Sequence, residues 1–252
     1  MNIEVKNEGY VIGAAPVAAT DRESASRAVR EMFTSIAHRY DLLNHVLSMN
    51  TDRYWWWRAS RTFRHILQRD KSRVLDLCCG TGDMTFALRK RASKSAEILG
   101  ADFSHAMLQR AVVKSRGTSL HWMEADALRL PLTSEQFDLV TSAFGFRNLA
   151  DYDAGLNEIF RVLRANGEIG ILDFGEPKGL MGRLYHFYFR HVLPRIGTLL
   201  SGVSGPYAYL PASVARFPEP QEMLERMKRA GFQEVSWTPY TFGIAGLYRG
   251  KK

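Results

Sequence analysis

The feature that most constrains the fold of this chain is a change of hydrophobic pattern after Lys71. From there on, short apolar runs alternate with amphipathic stretches of helical period. The short runs predict strands, and the stretches between them predict helices. The predicted strands are Arg73–Leu77, Glu97–Ala101, Leu120–Glu124, Phe137–Ala143 and Glu168–Asp173, and the predicted helices are Met84–Arg91, Ala106–Ser115 and Ala154–Leu163. Such alternation is typical of an α/β fold with a parallel sheet.

The end of the chain predicts an antiparallel addition to this sheet. A helical pattern over Pro220–Ala230 stops at Gly231 and is followed by two closely spaced strand patterns, Gln233–Thr238 and Phe242–Tyr248. Strands joined by a tight turn pair antiparallel, whereas parallel neighbours need a long crossover. The whole pattern therefore predicts a mostly parallel sheet of seven strands with an antiparallel last strand.

Residues 25–252 are predicted to form a single domain. It includes a helical cap and an inserted lid, and an N-terminal arm precedes it. Residues 1–24 are polar or small, without a sustained period, and predict a mobile N-terminal arm. Residues 25–70 carry apolar side chains at helical spacing and predict a helical cap. Residues 174–218 are far longer than an ordinary connection between a strand and a helix, which predicts an inserted lid over the substrate.

Composition excludes several classes of protein. The 252 residues are 46% hydrophobic and 24% charged, the balance of a soluble globular chain rather than of a collagen or a disordered protein. The two cysteines, Cys78 and Cys79, are adjacent, so they build neither a disulfide framework nor a Cys₄ zinc site. They predict a reducing, cytoplasmic compartment. No signal peptide is expected, and no apolar run of about 18 residues predicts a membrane span.

The net positive charge of the chain suits an anionic partner but does not require one. Lys and Arg number 34 against 26 Asp and Glu, which gives a net charge of +8 and an isoelectric point near 9.6. Nucleic acid and the surface of an anionic bilayer are both suitable partners. The alternative is a basic surface that is only solvated, and charge alone favours this alternative.

The loop after the first predicted strand is the clearest chemical signal. Asp76 to Asp83 read DLCCGTGD and lead directly into a helical pattern. Glycine lets the backbone turn tightly and approach a ligand closely. The loop lacks the three-glycine fingerprint of dinucleotide binding and the Gly-Lys-Ser/Thr ending of a phosphate-binding loop, which excludes both. It resembles the acidic-x-Gly-x-Gly-x-Gly motif of class I S-adenosylmethionine-dependent methyltransferases, with Cys78 at the first glycine.

Two further acidic residues fit this resemblance. Asp102 closes the second predicted strand, where a carboxylate can accept both hydroxyls of a ribose. Asp126, followed by Ala127, comes after the third strand, where it can accept from an adenine amino group. Taken singly, each is better explained as a helix cap or a solvated loop residue. Taken in order, each at the carboxyl end of a strand, they favour a Rossmann-like methyltransferase fold.

Three motifs narrow the resemblance. They are Ser35-x₂-His38-Arg39-Tyr40-Asp41-x₂-Asn44, Phe144-Gly145-Phe146-Arg147-Asn148, and His191-Val192-Leu193-Pro194-Arg195-Ile196-Gly197. From about Met32 to Gly250, the chain resembles the ubiquinone/menaquinone biosynthesis C-methyltransferase family, whose members methylate a ring carbon of a polyprenylated quinol. The Phe-Gly-x-Arg-Asn element is its most specific part.

The resemblance implies S-adenosyl-L-methionine as cofactor and assigns its contacts. The implied contact residues are Asp76, Gly80, Thr81, Gly82, Asp102, Asp126 and Ala127. The family pattern also has a serine directly before Phe144, where this chain has Ala143. Ser142 lies one position earlier, and neighbouring strand residues point to opposite faces, so Ser142 cannot replace that serine.

The chemistry calls for a base but for no metal. A sulfonium methyl group is already activated, so we expect no metal site. A ring carbon becomes a better nucleophile when a neighbouring phenol loses its proton, and the ring hydrogen must then leave, so a base is expected nearby. The candidates are His38, Asp41, His45, His186 and His191. Arg147, which is always protonated, is predicted to stabilise a phenolate, with Asn148 beside it. The alternative is that Arg147 pairs with a carboxylate and only holds its loop.

Two apolar features allow two interpretations each. The first is the aromatic stretch Leu180–Ile196 in the insertion, which is predicted either to hold a polyprenyl tail or to form part of the core. The second is the run Trp55–Trp57, which is predicted either to pack inside the protein or to lie at a membrane interface. The arginines beside that run are Arg53, Arg58, Arg61 and Arg64.

The resemblance implies methylation of a demethylmenaquinol ring. The residues do not separate this substrate from the methoxy-benzoquinol of ubiquinone synthesis. An RNA methyltransferase is an alternative suggested by the charge, but the chain lacks an appended RNA-binding module and an Asn-Pro-Pro-Tyr-like motif. A cofactor-binding protein without catalysis is a further alternative. The expected partners are the polyprenyl quinol, a membrane contacted peripherally from the cytoplasmic side and a second copy in a homodimer, with no nucleic acid.

Overall fold

A computed structural model describes residues 13, 21–38, 48, 50–177, 179, 182–183, 187–188 and 206–252. The helices are α1 (Arg22–Ile36), α2 (Thr51–Thr62), α3 (Arg64–Leu67), α4 (Asp83–Arg89), α5 (His105–Lys114), α6 (Tyr152–Val162), α7 (Pro206–Arg216) and α8 (Pro220–Arg229). The strands are β1 (Arg73–Leu77), β2 (Glu97–Asp102), β3 (Leu120–Glu124), β4 (Phe137–Ala143), β5 (Leu163–Phe174), β6 (Gln233–Tyr240) and β7 (Ala245–Lys251). Two short 3₁₀ helices, Phe146–Asn148 and Thr241–Gly243, precede α6 and β7. Within these ranges, no helix is both long enough and apolar enough to cross a bilayer.

The strands form one sheet in the order β3-β2-β1-β4-β5-β7-β6. Neighbours among β1 to β5 are parallel, and β7 runs antiparallel to both β5 and β6. The seven-stranded, mostly parallel α/β fold with an antiparallel last strand is therefore confirmed. Because β1 to β4 are parallel, the loops that leave their carboxyl ends gather at one edge of the sheet.

The sheet is covered by apolar packing on both faces. Successive strand residues point to opposite sides, so Val74 of β1 packs with α2, α3 and α4, whereas Leu75 packs with α6 and α8. On the first side, Trp55 and Phe63 are buried against the sheet. Burying both faces explains why the parallel strands read as nearly continuous apolar runs.

Helix α1 begins within the last residues of the predicted N-terminal arm. Asp21 caps α1, because its carboxylate accepts from the backbone N–H of Ser24 at 2.7 Å and the Ser24 hydroxyl accepts from the N–H of Asp21 at 3.2 Å. Further upstream, the N–H of Gly13 donates to the carbonyl oxygen of Ala150 at 3.0 Å. Gly13, which belongs to the predicted arm, therefore contacts the domain. Helix α1 begins three residues before the predicted boundary of the cap, because the polar capping pattern carries no apolar period.

Two strands begin at a residue other than the predicted one. Strand β5 begins at Leu163 rather than at Glu168, because Leu163 already pairs with Phe137 of β4. Strand β7 covers Ala245–Lys251 rather than Phe242–Tyr248, because Phe242 takes a left-handed conformation (φ 59°) that a strand residue cannot adopt. In both places, tertiary pairing or local backbone conformation overrides the hydrophobic pattern.

Candidate active site

The carboxyl ends of β1 to β4 open into a cavity of about 300 Å³. Its walls come from the loop after β1, the ends of β2 and β3, the segment after β4, and residues of α1, α2 and the Thr241–Gly243 turn. The site residues predicted from the sequence that line it are Asp76, Gly80, Thr81, Asp102, Asp126, Ala127, Arg147 and Asn148. Most of the predicted site is therefore brought to one place.

The loop after β1 turns through three left-handed residues, Cys78 (φ 55°), Gly80 (φ 56°) and Gly82 (φ 90°). At Gly82 a side chain has no room, because its Cβ would lie 2.4 Å from Cη2 of Trp122. Gly82 is not among the described residues that line the cavity; it shapes the loop instead. Cys78 adopts the conformation for which the methyltransferase motif supplies its first glycine, at a cost of about 1–2 kcal/mol.

Asp76 lies beneath this loop as a buried anchor. Its carboxylate accepts from the hydroxyl of Thr85 in α4 at 2.5 Å and from the hydroxyl of Thr141 in β4 at 2.8 Å. The residue is fully buried, and burial raises the pKa of its carboxyl to about 6. Asp76 therefore ties β1 to two neighbouring elements at the floor of the cavity.

Asp102 holds the glycine loop against the end of β2. Its Oδ2 accepts from the backbone N–H of Gly80 at 2.8 Å, and its Oδ1 accepts from the N–H of Ser104 at 2.8 Å. The residue is 6% exposed, and burial raises the pKa of its carboxyl to about 6 despite these hydrogen bonds. Each carboxylate oxygen has a second acceptor site, so the same side chain can still accept from a ligand in the cavity.

The segment after β3 presents a third carboxylate. Asp126 is exposed, and its Oδ1 accepts from the backbone N–H of Leu128 at 2.9 Å, which fixes a tight turn. Ala127 is buried inside that turn and borders the cavity. A small side chain at Ala127 leaves room beside the acidic group, as a planar ring would require.

The hydroxyl of Thr81 contacts Lys114, a residue that was not predicted to belong to the site. Nζ of Lys114, at the end of α5, lies 2.7 Å from Oδ1 of Asp83 and 3.2 Å from the hydroxyl oxygen of Thr81. The ammonium group donates to both oxygens and so fixes the glycine loop to α5. Lys114 closes an ordinary helical pattern in the sequence, so no local signal points to this role.

The end of β4 shows the expected alternation of strand faces. Ala143 borders the cavity, whereas Ser142 is buried and is not among the described lining residues. Ser142 pairs with Ile171 inside the sheet. The hydroxyl of Ser142 is therefore not positioned to replace the serine of the family pattern.

Arg147 forms an ion pair with Asp173, at the end of β5. Nη1 of Arg147 donates to Oδ1 of Asp173 at 2.8 Å, and the backbone N–H of Arg147 donates to Oδ2 at 3.1 Å. The same Nη1 donates to the carbonyl oxygen of Phe144. This is the carboxylate pairing that the alternative interpretation of Arg147 predicts, and it occurs in a residue that also lines the cavity. Asp173 could have been singled out, since it is an acid at the carboxyl end of a predicted strand.

Asn148 is held from two sides. Its side-chain amide nitrogen lies 3.5 Å from the carbonyl oxygen of Phe144, and its Oδ1 accepts from the hydroxyl of Tyr209 in α7 at 3.2 Å. Burial raises the pKa of Tyr209 to about 12, so this hydroxyl remains a donor at neutral pH. Helix α7 belongs to the predicted insertion, and its contact with Asn148 brings that insertion to the cavity.

Of the five predicted bases, the structure describes only His38, which does not line the cavity. His38 is exposed just beyond the end of α1, and no histidine is among the described residues that line the cavity. Asp41, His45, His186 and His191 lie outside the described residues. In the part of the chain that is described, no group of three or more His, Cys, Asp or Glu side chains is placed to hold a metal ion.

The donors and acceptors of the cavity fit S-adenosylmethionine. The carboxylates of Asp102 and Asp126, at the ends of β2 and β3, suit a ribose and an adenine amino group. The buried carboxyl of Asp76 beneath them adds negative charge, which suits a cationic sulfonium. Another part of the cavity wall is aromatic, with the rings of Trp55, Phe144 and Phe174 packed together at centroid distances of 4.6–6.0 Å. A polar cofactor and an apolar acceptor thus have separate places in one cavity.

Comparison with known families decides the assignment. The model of the ubiE/COQ5 methyltransferase family matches residues 20–252. The chain belongs to this family. A demethylmenaquinone methyltransferase of Deinococcus radiodurans is 47% identical over 235 residues, covering 92% of this chain and 95% of the relative. A demethylmenaquinone methyltransferase of Thermus thermophilus is 45% identical and covers 88% and 100%. A relative from Geobacter sulfurreducens, the ubiquinone/menaquinone biosynthesis C-methyltransferase UbiE, is 41% identical and covers 89% and 88%.

Solved structures support the fold of this family member. A SAM-dependent methyltransferase from Thermotoga maritima superposes with a TM-score of 0.62 at 19% identity, covering 88% of this chain and 99% of that one. The phosphoethanolamine N-methyltransferase 2 of Haemonchus contortus, solved with S-adenosyl-L-methionine, gives a TM-score of 0.57 at 15% identity and covers 76% and 51%. The protein is an S-adenosylmethionine-dependent C-methyltransferase with a Rossmann-like fold.

Proposed function

We propose that this enzyme methylates a ring carbon of demethylmenaquinol, with S-adenosylmethionine as methyl donor. The relatives from Deinococcus and Thermus carry that activity in their names. The observation that carries the proposal is the cavity itself, which joins an acidic end at β1 to β3 with an aromatic end beside Arg147. A cationic cofactor and a flat apolar ring suit these two ends.

At the acidic end, we propose that the ribose is held by Asp102 and the adenine by Asp126 and Ala127. Asp102 is already positioned by two backbone N–H donors, so it can accept ribose hydroxyls without rearrangement. Thr81, with Gly80 beside it, faces the rest of the cofactor, and its hydroxyl is oriented by Lys114. Asp76 supports the site from below through its two threonines.

At the other end, Arg147 and Asn148 face the quinol. S-adenosylmethionine supplies a methyl group on a sulfonium, which needs no further activation. Arg147 stabilises the negative charge that develops on the quinol oxygen, and Asp173 holds its guanidinium in place. Asn148, fixed by Tyr209, orients the ring through its amide. The base that removes the proton stays a prediction at His38, Asp41, His45, His186 or His191.

The benzoquinol of ubiquinone synthesis is the second candidate substrate, because the Geobacter relative is named for both pathways. A direct competition tests the two. The purified enzyme is given S-adenosylmethionine with equal amounts of a short-tailed demethylnaphthoquinol and a short-tailed methoxy-benzoquinol, and both products are quantified by mass spectrometry. We expect the methylated naphthoquinol to dominate. Dominance of the methylated benzoquinol assigns the enzyme to the second substrate, and the absence of both products contradicts the proposed function.

We further propose that the enzyme is cytoplasmic and contacts the membrane peripherally, because a polyprenylated quinol is insoluble in water. The adjacent cysteines and the basic charge support this location. A homodimer stays a prediction from the sequence.

A further inference from the structure

The outer face of α2 combines aromatic rings with arginines. Tyr54, Trp57, Arg58 and Arg61 are spaced i, i+3, i+4 and i+7, which places them on one side of a helix. Trp55 and Ala59 take the opposite side and are buried. Tyr54 and Trp57 are 48% and 45% exposed, and their rings stack with centroids 6.0 Å apart. An exposed stacked aromatic pair is an unusual choice for a surface that only meets water.

The turn before β7 lies beside α2 and carries a third exposed aromatic ring. Nε1 of Trp55 donates to the hydroxyl of Thr241 at 2.8 Å, and the guanidinium of Arg58 lies 4.2 Å from the ring centre of Tyr240. These contacts fix the turn beside α2. Phe242, next in the chain, is 77% exposed and has a left-handed φ of 59°. Its backbone conformation is unfavourable for a bulky residue and turns the ring outward. Tyr54, Trp57, Arg58, Arg61 and Phe242 are called the aromatic–arginine face below.

The charge around this face is one-sided. Residues 51–69 contain five arginines and a single acid, Asp52, which is only 4% exposed. Arg61 lies 5.3 Å and Arg91 lies 5.5 Å from the ring centre of Trp57, so cations stand directly beside the exposed ring. A helix with Trp and Tyr among arginines has the composition of an interfacial helix that meets anionic lipid.

The same elements form the aromatic end of the cavity. Trp55 and Trp56 of α2 line the cavity, as do Thr241 of the turn and Ile244 directly after it. The inner side of α2 and of the turn therefore bounds the site, while their outer side carries the aromatic–arginine face. A ring bound at the aromatic end of the cavity therefore lies beneath the two elements that carry that face.

We propose that the aromatic–arginine face docks on an anionic lipid bilayer and brings the aromatic end of the cavity to the membrane surface. This inference rests on the proposed function for the identity of the substrate, but the surface is argued from its own residues. Trp, Tyr and Phe rings enter the interfacial region while the arginines meet lipid phosphates. The tail of a polyprenyl quinol then stays in the bilayer while its ring reaches the aromatic end of the cavity.

Vesicle binding tests this surface. Full-length protein is sedimented with vesicles of phosphatidylcholine alone or with 30% phosphatidylglycerol added, at roughly 50 and 500 mM NaCl. The variant Tyr54→Ser/Trp57→Ser/Arg61→Gln removes part of the face without touching a described cavity residue. The matched control, Val112→Ser/Val113→Ser/Arg110→Gln, removes two exposed apolar residues and one exposed arginine from α5. Both variants are also assayed with a short-tailed quinol in solution and with a long-tailed quinol in vesicles.

We expect wild type and the α5 control to bind anionic vesicles in a salt-sensitive way, and the α2 variant to bind about tenfold more weakly or worse. The α2 variant should keep its rate with the short-tailed quinol and lose at least about fivefold with the long-tailed one. Equal vesicle binding by the two variants overturns the proposal, and so does wild type that binds an RNA oligonucleotide but no anionic vesicle. If wild type binds vesicles through this face but methylates neither quinol, the docking surface stands and the proposed function fails.

Discussion

Nη1 of Arg147 lies 2.8 Å from Oδ1 of Asp173, and both side chains are almost completely buried. The pair links the element after β4 to the end of β5 at the wall of the cavity. Breaking a buried pair by removing one partner is costly because the other charge is left uncompensated. Arg147 therefore has a structural contribution in addition to the catalytic one that we propose.

Replacing Arg147 should affect both stability and rate. Arg147→Ala should lower the free energy of unfolding by about 3–5 kcal/mol, because Asp173 loses its partner, and should lower kcat by about 10²-fold. Arg147→Lys should recover only part of the rate, since it keeps the charge but not the planar fork. Urea unfolding and single-turnover methyl transfer measure the two effects.

Asp173→Asn is the matched control for Arg147, because it breaks the same pair and keeps the guanidinium. We expect Asp173→Asn to lose about as much stability as Arg147→Ala. At a temperature where both variants are folded, its rate of methyl transfer should be more than ten times that of Arg147→Ala, a difference of about 1.4 kcal/mol in activation free energy. Equal rates in the two variants would assign Arg147 a structural role only.

Because the pKa of Asp102 is raised, we expect a fall in pH to weaken cofactor binding but to increase the contribution of Asp102 to folding stability. Burial raises the pKa of its carboxyl to about 6, from an ordinary value of 3.8. Between these values the folded state binds a proton that the unfolded state does not, so the contribution of Asp102 to stability rises as the pH falls through 6. The ionised form is the better acceptor for ribose hydroxyls, so protonation of Asp102 alone should lower cofactor affinity about fourfold from pH 7.5 to 5.5.

Calorimetric titration at several pH values, beside urea unfolding, checks this prediction. Asp102→Asn should weaken cofactor binding about tenfold or more at pH 7.5, because a hydrogen bond to an ionised acceptor contributes about 1.5–3 kcal/mol. The variant should also show a flatter dependence of affinity on pH; the remaining slope is expected from Asp76, whose pKa is also about 6. An Asn variant with wild-type affinity would contradict the assignment of Asp102 to the cofactor.

The two cysteines should be packing residues. Burial, reinforced by the nearby Asp102 carboxylate, raises the pKa of both thiols well above the ordinary value, so the nucleophilic thiolate is disfavoured at neutral pH. Cys78→Ala/Cys79→Ala should keep the rate of methyl transfer within about threefold, and wild type should react slowly with iodoacetamide at pH 7. Loss of turnover in a double variant that still folds and binds cofactor would point to a covalent role instead.

The sequence predicts the parts of the molecule that depend on local pattern. The strands around Val74 and Val140 are largely buried and read as apolar runs, so their positions and the parallel sheet follow directly. Asp102 and Asp126 could be singled out because strand ends of a parallel sheet converge. The order of the strands, with β7 inserted between β5 and β6, has no local signal.

Partners that meet only through tertiary structure could not be predicted. Lys114 reaches Thr81 from 33 residues away, and Tyr209 reaches Asn148 from 61 residues away, so no spacing in the sequence connects them. For Arg147 the sequence allows two roles, stabilising a phenolate or pairing with a carboxylate. Only the structure identifies Asp173 as the carboxylate that it pairs with. At Phe242 the hydrophobic pattern predicts a strand, but the left-handed backbone produces an exposed turn.

Tyr209 should act as a positioning residue through Asn148. Its hydroxyl donates to Oδ1 of Asn148 at 3.2 Å, so Tyr209→Phe removes one neutral hydrogen bond, worth about 0.5–1.5 kcal/mol. We expect kcat/KM for the quinol to fall by about three- to tenfold while the Kd for S-adenosylmethionine stays unchanged. In an Asn148→Ala background, the same substitution should have no further effect on kcat/KM, since a double-mutant cycle isolates the coupling. An additive loss would show that Tyr209 acts independently of Asn148.

The central claim is that one cavity holds the methyl donor at Asp102 and the quinol ring at Arg147. A single-turnover experiment with S-adenosylmethionine carrying a ¹³C-labelled methyl group and a short-tailed demethylmenaquinol tests it most directly. Product NMR locates the label, and the transfer rate is measured for wild type, Asp102→Asn and Arg147→Lys at saturating cofactor. We predict label on the ring carbon, a near-normal rate for the Asp102 variant once saturated, and a reduced rate for the Arg147 variant. Label on a quinol oxygen, or wild-type rates in the Arg147 variant with reduced rates in the Asp102 variant, would contradict the account.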